Sequence, residues 1–149
     1  MKVYVAIAMA VLLIFSIYEI YMEEEAIRNL KMEINDAKIT HITFEYVELK
    51  IYVKFINDEK RDINEMRGNF KIFILNSYVG DAHLKDINIK SGSSYNATIP
   101  LRIYYEGLTE GIINAIKEGK ISLTIKGKIT GRIFFGLIEY SQNIEAVWQ

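Results

Sequence analysis

Two hydrophobic rhythms divide the chain. From Val3 to Tyr18 run sixteen residues without a formal charge. No helical face of this run is polar, which sets it apart from the amphipathic surface helix of a globular domain. At about 1.5 Å per residue such a helix is roughly 24 Å long. Ile20, Tyr21 and Met22 carry the apolar surface past Glu19, bringing it to the roughly 20 residues that a bilayer-spanning helix requires. Beyond Leu30 the period falls from helical to two. Leu49, Ile51, Val53 and Phe55 alternate with Lys50, Tyr52, Lys54 and Ile56, and Phe70, Ile72 and Ile74 with Lys71 and Phe73. Ala97, Ile99, Leu101 and Ile103 repeat the pattern, as do Ile121, Leu123, Ile125 and Gly127. Alternation of this kind marks strands with one buried and one wet face. It predicts seven strands, near 31–42, 44–56, 68–76, 78–86, 94–105, 120–130 and 133–146. The expected fold is all-β, a seven-stranded antiparallel β-sandwich of immunoglobulin or fibronectin type.

Punctuation between the runs supports this division. Turn signals fall at Asn57-Asp58-Glu59, Asn76-Ser77, Gly80-Asp81 and from Ser91 to Ser94. One segment keeps a helical period: Leu108, Ile112, Ala115 and Ile116 share a face, and Gly119 stands where a left-handed C-cap belongs. A short amphipathic helix is therefore expected between the fifth and sixth strands, across an open end of the sandwich. The single proline, Pro100, falls on the outward side of its strand, which places that strand at an edge or turns its amide position away from a neighbour.

The flanks of the apolar run give it a direction. Lys2 precedes it, whereas Glu19, Glu23, Glu24 and Glu25 follow, with Arg28 the first basic residue beyond. The run offers no good cleavage site, since its small residues Ala6, Ala8 and Ala10 lie in its middle. An uncleaved single-pass anchor in the cell membrane is expected, in preference to a cleaved signal peptide or a buried core helix. Its amino terminus should be cytoplasmic and the remainder outside. Tyr4, Tyr18 and Tyr21 would lie near the two interfaces. Residues 1–30 then form anchor and stalk, and 31–149 the sandwich domain.

Charge narrows the partners. Eighteen Lys and Arg oppose nineteen Asp and Glu, a net charge of −1, so nothing favours a polyanion and nucleic acid is not an expected partner. The absence of cysteine excludes disulfides, thiolate metal sites and a cysteine nucleophile. His41 and His83 are the only histidines, and no metal-binding His pair, nucleophile elbow, phosphate-binding glycine loop or calcium loop accompanies them. They read as ordinary strand or turn residues. Asp58, Glu59 and Asp62 share a loop with Lys60 and Arg61, a mixture expected of a solvated turn more than of a cation site. Tyr104 and Tyr105 read as sandwich-face residues. Asn96-Ala97-Thr98 is a glycosylation sequon, which makes Asn96 the one candidate modification site. No catalytic residue, cofactor, metal or small-molecule substrate is indicated.

The order of parts resembles the group 2 late embryogenesis abundant family, also called the water stress and hypersensitive response domain. The resemblance is carried by Leu49 to Asn57, Asn76 to Gly80, Ser91-Gly92-Ser93, Ala97 to Leu101, Glu118-Gly119 and Ile121 to Gly127. It extends over 31–149 and is best over 46–137. The family's first strand pair usually closes with Asn-Pro, whereas here Asn57 is followed by Asp58. The resemblance implies a seven-stranded sandwich with one helix, no catalytic centre, and an association with dehydration and stress tolerance. Three readings follow. The expected one is a non-enzymatic, membrane-tethered sandwich that protects or binds its neighbours under water stress. A structural or adhesion module, an accessory subunit of an envelope assembly pairing with a protein partner through a free sheet edge, is the alternative. An enzyme is the third.

Overall fold

A computed structural model describes residues 2–149. The helix α1 (Lys2–Arg28) is followed by β1 (Lys31–Ile42), β2 (Tyr46–Asn57), β3 (Ile63–Ile74), β4 (Ser77–Ile89) and β5 (Ser93–Tyr104). A short helix α2 (Glu110–Lys117), β6 (Leu123–Ile133) and β7 (Ile138–Trp148) complete the chain. The strands form two sheets, ordered β1-β2-β5 and β4-β3-β6-β7, and every neighbouring pair is antiparallel. This is the expected seven-stranded antiparallel sandwich.

The alternating apolar positions explain why the sheets face each other. Val47, Leu49, Ile51, Val53 and Phe55 from β2 are buried against Phe70, Ile72 and Ile74 from β3 and against Leu123, Ile125 and Ile129 from β6. Phe55 and Phe70 meet across the sheets with ring centroids 6.3 Å apart. Pro100 is exposed on β5, which is an edge strand, and its missing amide therefore interrupts no ladder on the open side. Thr109 caps the start of α2, its side chain accepting from Ile112 N–H, and Gly119, just past the end of the helix, has a positive φ of 73°. Ile112 and Ile116 are its buried positions.

Three boundaries differ from expectation, each for a local reason. β3 begins at Ile63 because Glu65 adopts a positive φ of 49° and the pairing with β4 shifts register between Ile63 and Met66. Two inward residues then lie three apart, and the alternation is hidden. Gly80-Asp81 is no turn: Gly80 pairs with Ile72 inside β4, where a Cβ would lie 2.7 Å from Leu101. The β6–β7 turn falls at 134–137 in place of 131–132, since Gly131 is a strand residue whose bare backbone accommodates Ile27 of α1.

Strand direction gives the molecule two ends. β1 starts beside the carboxyl end of α1, and the successive antiparallel strands return the 58–62, 90–92 and 134–137 connections to that same end. The β1–β2 turn, the β3–β4 turn and α2 lie at the other.

Asn57 organises the α1 end. Its side chain is fully buried; its amide donates to Arg61 O at 2.8 Å and Ile89 O at 3.3 Å, and its Oδ1 accepts from Glu59 N–H at 3.1 Å. Asn57→Ala leaves buried carbonyls without a donor, and about 2–3 kcal/mol of stability should be lost. Thermal unfolding of the full chain in mild detergent checks this; an unchanged melt would show that the loop is closed without the amide.

Candidate functional site

The first candidate is the junction between α1 and the sandwich. Val3, Ile7, Leu13 and Ile17 are among the side chains that α1 leaves exposed, and its most apolar window has no buried residue. The helix is long and apolar enough to cross a membrane. Its character changes at Glu19. The stretch from Glu23 to Leu30 continues the helix and then leaves it, as expected, but it does not stand clear as a stalk: Ala26, Ile27 and Leu30 are buried in the sandwich core and Ile20 packs against it.

Polar contacts fix the same seam. Arg61 donates two hydrogen bonds to Glu19, at 2.7 and 3.1 Å, in the fork geometry that suits a guanidinium and a carboxylate. Glu23 accepts from the amide N–H of Phe134. Arg28 donates to the Tyr140 hydroxyl, and Asn29 to Glu59. The Glu19 pair holds the Arg61 guanidinium above its usual range. Arg61 is presented by the loop that Asn57 closes, so one buried amide on β2 positions the cation that meets α1.

The second candidate is the outer face of the four-stranded sheet, a concave surface enclosing about 750 Å³ and lined by Asn69, Lys71, Asp81, His83, Lys126 and Lys128 among others. At Gly127 β6 presses so closely on β3 that a Cβ would lie 2.0 Å from Asn69 O. His83 Nδ1 lies 2.6 Å from Asn69 Oδ1. The Asp81 carboxylate pushes the Tyr78 hydroxyl above its ordinary range. Toward the α1 end of this sheet Arg67 of β3 pairs with Glu139 of β7 at 3.0 Å and holds that carboxyl below the usual carboxylate range. Asn69 and His83 are spent on each other, and no nucleophile stands against a base; Lys71, Lys126 and Lys128 can offer cations to a surface ligand.

Of the remaining sequence candidates, Asp58, Glu59 and Asp62 adjoin the first site, on the loop that presents Arg61 to α1, and the others lie apart from both sites. His41, at the end of β1, is exposed beside Tyr46. Asp58 pairs with Lys31, Glu59 accepts from Asn29, and Asp62 accepts from Ser91 N–H; these carboxylates diverge to close loops. Among the described residues no three His, Asp or Glu side chains are grouped to hold a metal ion. Tyr104 is exposed and stacks edge-on against Tyr46, while Tyr105 is half-buried against the core. Asn96 is exposed on β5 opposite Lys54.

No family model matches the chain, and no curated protein does. Solved structures do. A protein of Arabidopsis thaliana, known from a solution structure, superimposes with a TM-score of 0.58 at 16% identity, over 79% of this chain and 78% of its own. A late embryogenesis abundant protein, also solved in solution, gives 0.53 at 11% identity over 96% of this chain and 82% of its own. A structural-genomics target solved by X-ray crystallography gives 0.51 at 11% identity, covering 80% and 88%. The likeness is one of fold. It puts the sandwich among folds that include a late embryogenesis abundant protein, and at these identities it transfers no residue role.

Proposed function

We propose that this chain is a non-catalytic, membrane-tethered sandwich of the group 2 late embryogenesis abundant type, which protects or binds neighbouring molecules at the membrane surface under water stress. One observation carries the reading. An apolar helix exposed on every side is continuous with a sandwich whose fold is shared with a late embryogenesis abundant protein. Lipid covers such a helix without a partner protein. Lys2 before it and the glutamates after it support a cytoplasmic amino terminus and a sandwich on the outer side, where Asn96 is open to glycosylation. Tethering raises the effective concentration of the sandwich at its site of action.

Topology is tested by carbonate extraction and by protease treatment of intact cells. The protein should stay in the carbonate pellet, and a carboxyl-terminal tag should be cut without lysis. Release into the supernatant, or a tag cut only after lysis, refutes the placement. Function is tested in cells lacking the protein, which should recover poorly from osmotic or desiccation stress. His41→Ala and His83→Ala variants should restore recovery, since His41 stands alone and His83 is one of several polar groups on a face that holds no nucleophile–base pair. A fragment beginning at Glu19, which keeps Ala26 and Ile27, should restore it poorly. Rescue lost with either histidine at intact fold would point to chemistry there. Copurification of a stoichiometric partner would favour the structural-module reading.

A further inference from the structure

The β6–β7 turn carries the sequence Phe134-Phe135-Gly136-Leu137. Phe135 is 87% exposed and Leu137 76%. Nothing in the sandwich covers them, and large apolar side chains gathered at one loop tip mark a contact surface.

The contacts with α1 establish where this tip points. Gly131 of β6 meets Ile27, and Phe134 meets Glu23. Moving forward along β6 therefore means moving backward along α1, toward its apolar part. From Glu23 back to Glu19 is about 6 Å of helix. The tip of the turn carries the chain about one residue spacing, roughly 3 Å, past Phe134 before it reverses. Phe135, at the tip, thus lies between the levels of Glu23 and Glu19, and Leu137, bonded back to Phe134, lies level with Glu23; both stand beside the stretch of α1 where its charged part gives way to its uncharged run.

The backbone of the turn adds an independent indication. Leu137 N–H donates to Phe134 O at 3.1 Å. The two residues between them, Phe135 and Gly136, have φ values of 57° and 77°. Positive φ at both central positions is the requirement of a tight hairpin turn that asparagine and glycine satisfy best. A phenylalanine there is costly to the backbone and makes no compensating core contact. Arg132 holds the turn by donating to Gly136 O at 3.3 Å.

We propose that the β6–β7 turn is a second membrane contact, with Phe135 and Leu137 inserted at the headgroup–acyl boundary beside the anchor. The inference rests on the membrane reading of α1 and names what that reading leaves open, the face of the sandwich turned to the lipid. Aromatic and aliphatic side chains at a loop tip suit that boundary, where they bury apolar surface while the backbone remains hydrated. With Ile20 and Ile27 packed on one side and the turn on another, the sandwich stands on the bilayer at two points.

Full-length protein in phosphatidylcholine vesicles, with and without lipids brominated near the headgroup end of the acyl chain, tests this by tryptophan fluorescence. Trp148, the single tryptophan, is half-buried at the end of β7 far from α1 and serves as the control that bromolipid should not quench. Phe135→Trp in a Trp148→Phe background should emit to the blue of a solvated tryptophan and lose roughly half its intensity to bromolipid, as an interfacial residue does. Phe15→Trp in the same background reports the anchor. If Phe15→Trp is quenched by lipids brominated deeper in the chain while Phe135→Trp emits like a solvated residue and is unquenched, the anchor stands and the second contact is refuted. An unquenched Phe15→Trp refutes both. A blue-shifted but unquenched Phe135→Trp also overturns the proposal, because the turn would then be covered by protein.

Discussion

Leu123→Asp is expected to cost the sandwich about 3–5 kcal/mol, the magnitude of burying a charge with no partner. Leu123 is the first residue of β6 and is completely buried, placed in register between Ile74 on β3 and Trp148 on β7. The substituted carboxylate would face only hydrocarbon, and the strand cannot turn it outward without sending Ile125 and Ile129 to solvent as well. Urea unfolding of the fragment beginning at Glu19, followed by far-UV circular dichroism, measures the loss. A change under about 1 kcal/mol would mean that the β6 register differs from the one described.

The second large effect is expected from a residue with no side chain. A Cβ at Gly127 would lie 2.0 Å from Asn69 O and 2.8 Å from Phe70 Cα, both of them backbone atoms that cannot swing aside as a side chain would. Gly127→Val must separate β3 from β6 at the middle of their ladder. The loss should be about 3 kcal/mol or more, at the upper end of overpacking. Gly111, inside α2 with nothing within 4 Å of its Cβ position, is the matched control. Gly111→Ala should gain about 0.5 kcal/mol by relieving the entropy cost of glycine in a helix. Both are read from the same urea titration, and a Gly127→Val midpoint equal to the parent's would show that the two strands are less tightly apposed.

Much of this architecture was legible in one dimension, and particular residues explain where it was not. Leu49 to Phe55 and Leu123 to Gly127 alternate without a break because their strands are centred in the sheets, one face against the opposite layer. Where a strand departs from regular geometry the rhythm fails: with Glu65 left-handed, Ile63 and Met66 are both buried three apart, and the first third of β3 resembles a loop. Turn chemistry misled in the opposite sense. Gly131 looks like a turn residue but sits in a strand to admit Ile27, while the true turn contains Phe134 and Phe135, residue types that usually signal a strand. The exposed helix was readable from composition alone. Its docking was not, since Glu19 with Arg61, and Glu23 with Phe134, are pairings across distant sequence that only the closed sandwich creates.

The seam that buries Ile27 and Leu30 leaves no flexible leash between helix and sandwich: Asn29 and Leu30 alone separate α1 from β1. A slack tether would let the domain sweep a hemisphere and meet molecules well above its base. On the membrane reading, rigid attachment restricts it to a fixed height. Strands of up to thirteen residues, at about 3.3 Å each, give a body roughly 40 Å tall, and nothing farther out than its tip falls within its reach. On the membrane reading, it meets other molecules by sliding in the plane of the bilayer, where the concave face of Lys71, Lys126 and Lys128 looks sideways at its neighbours instead of up into the medium.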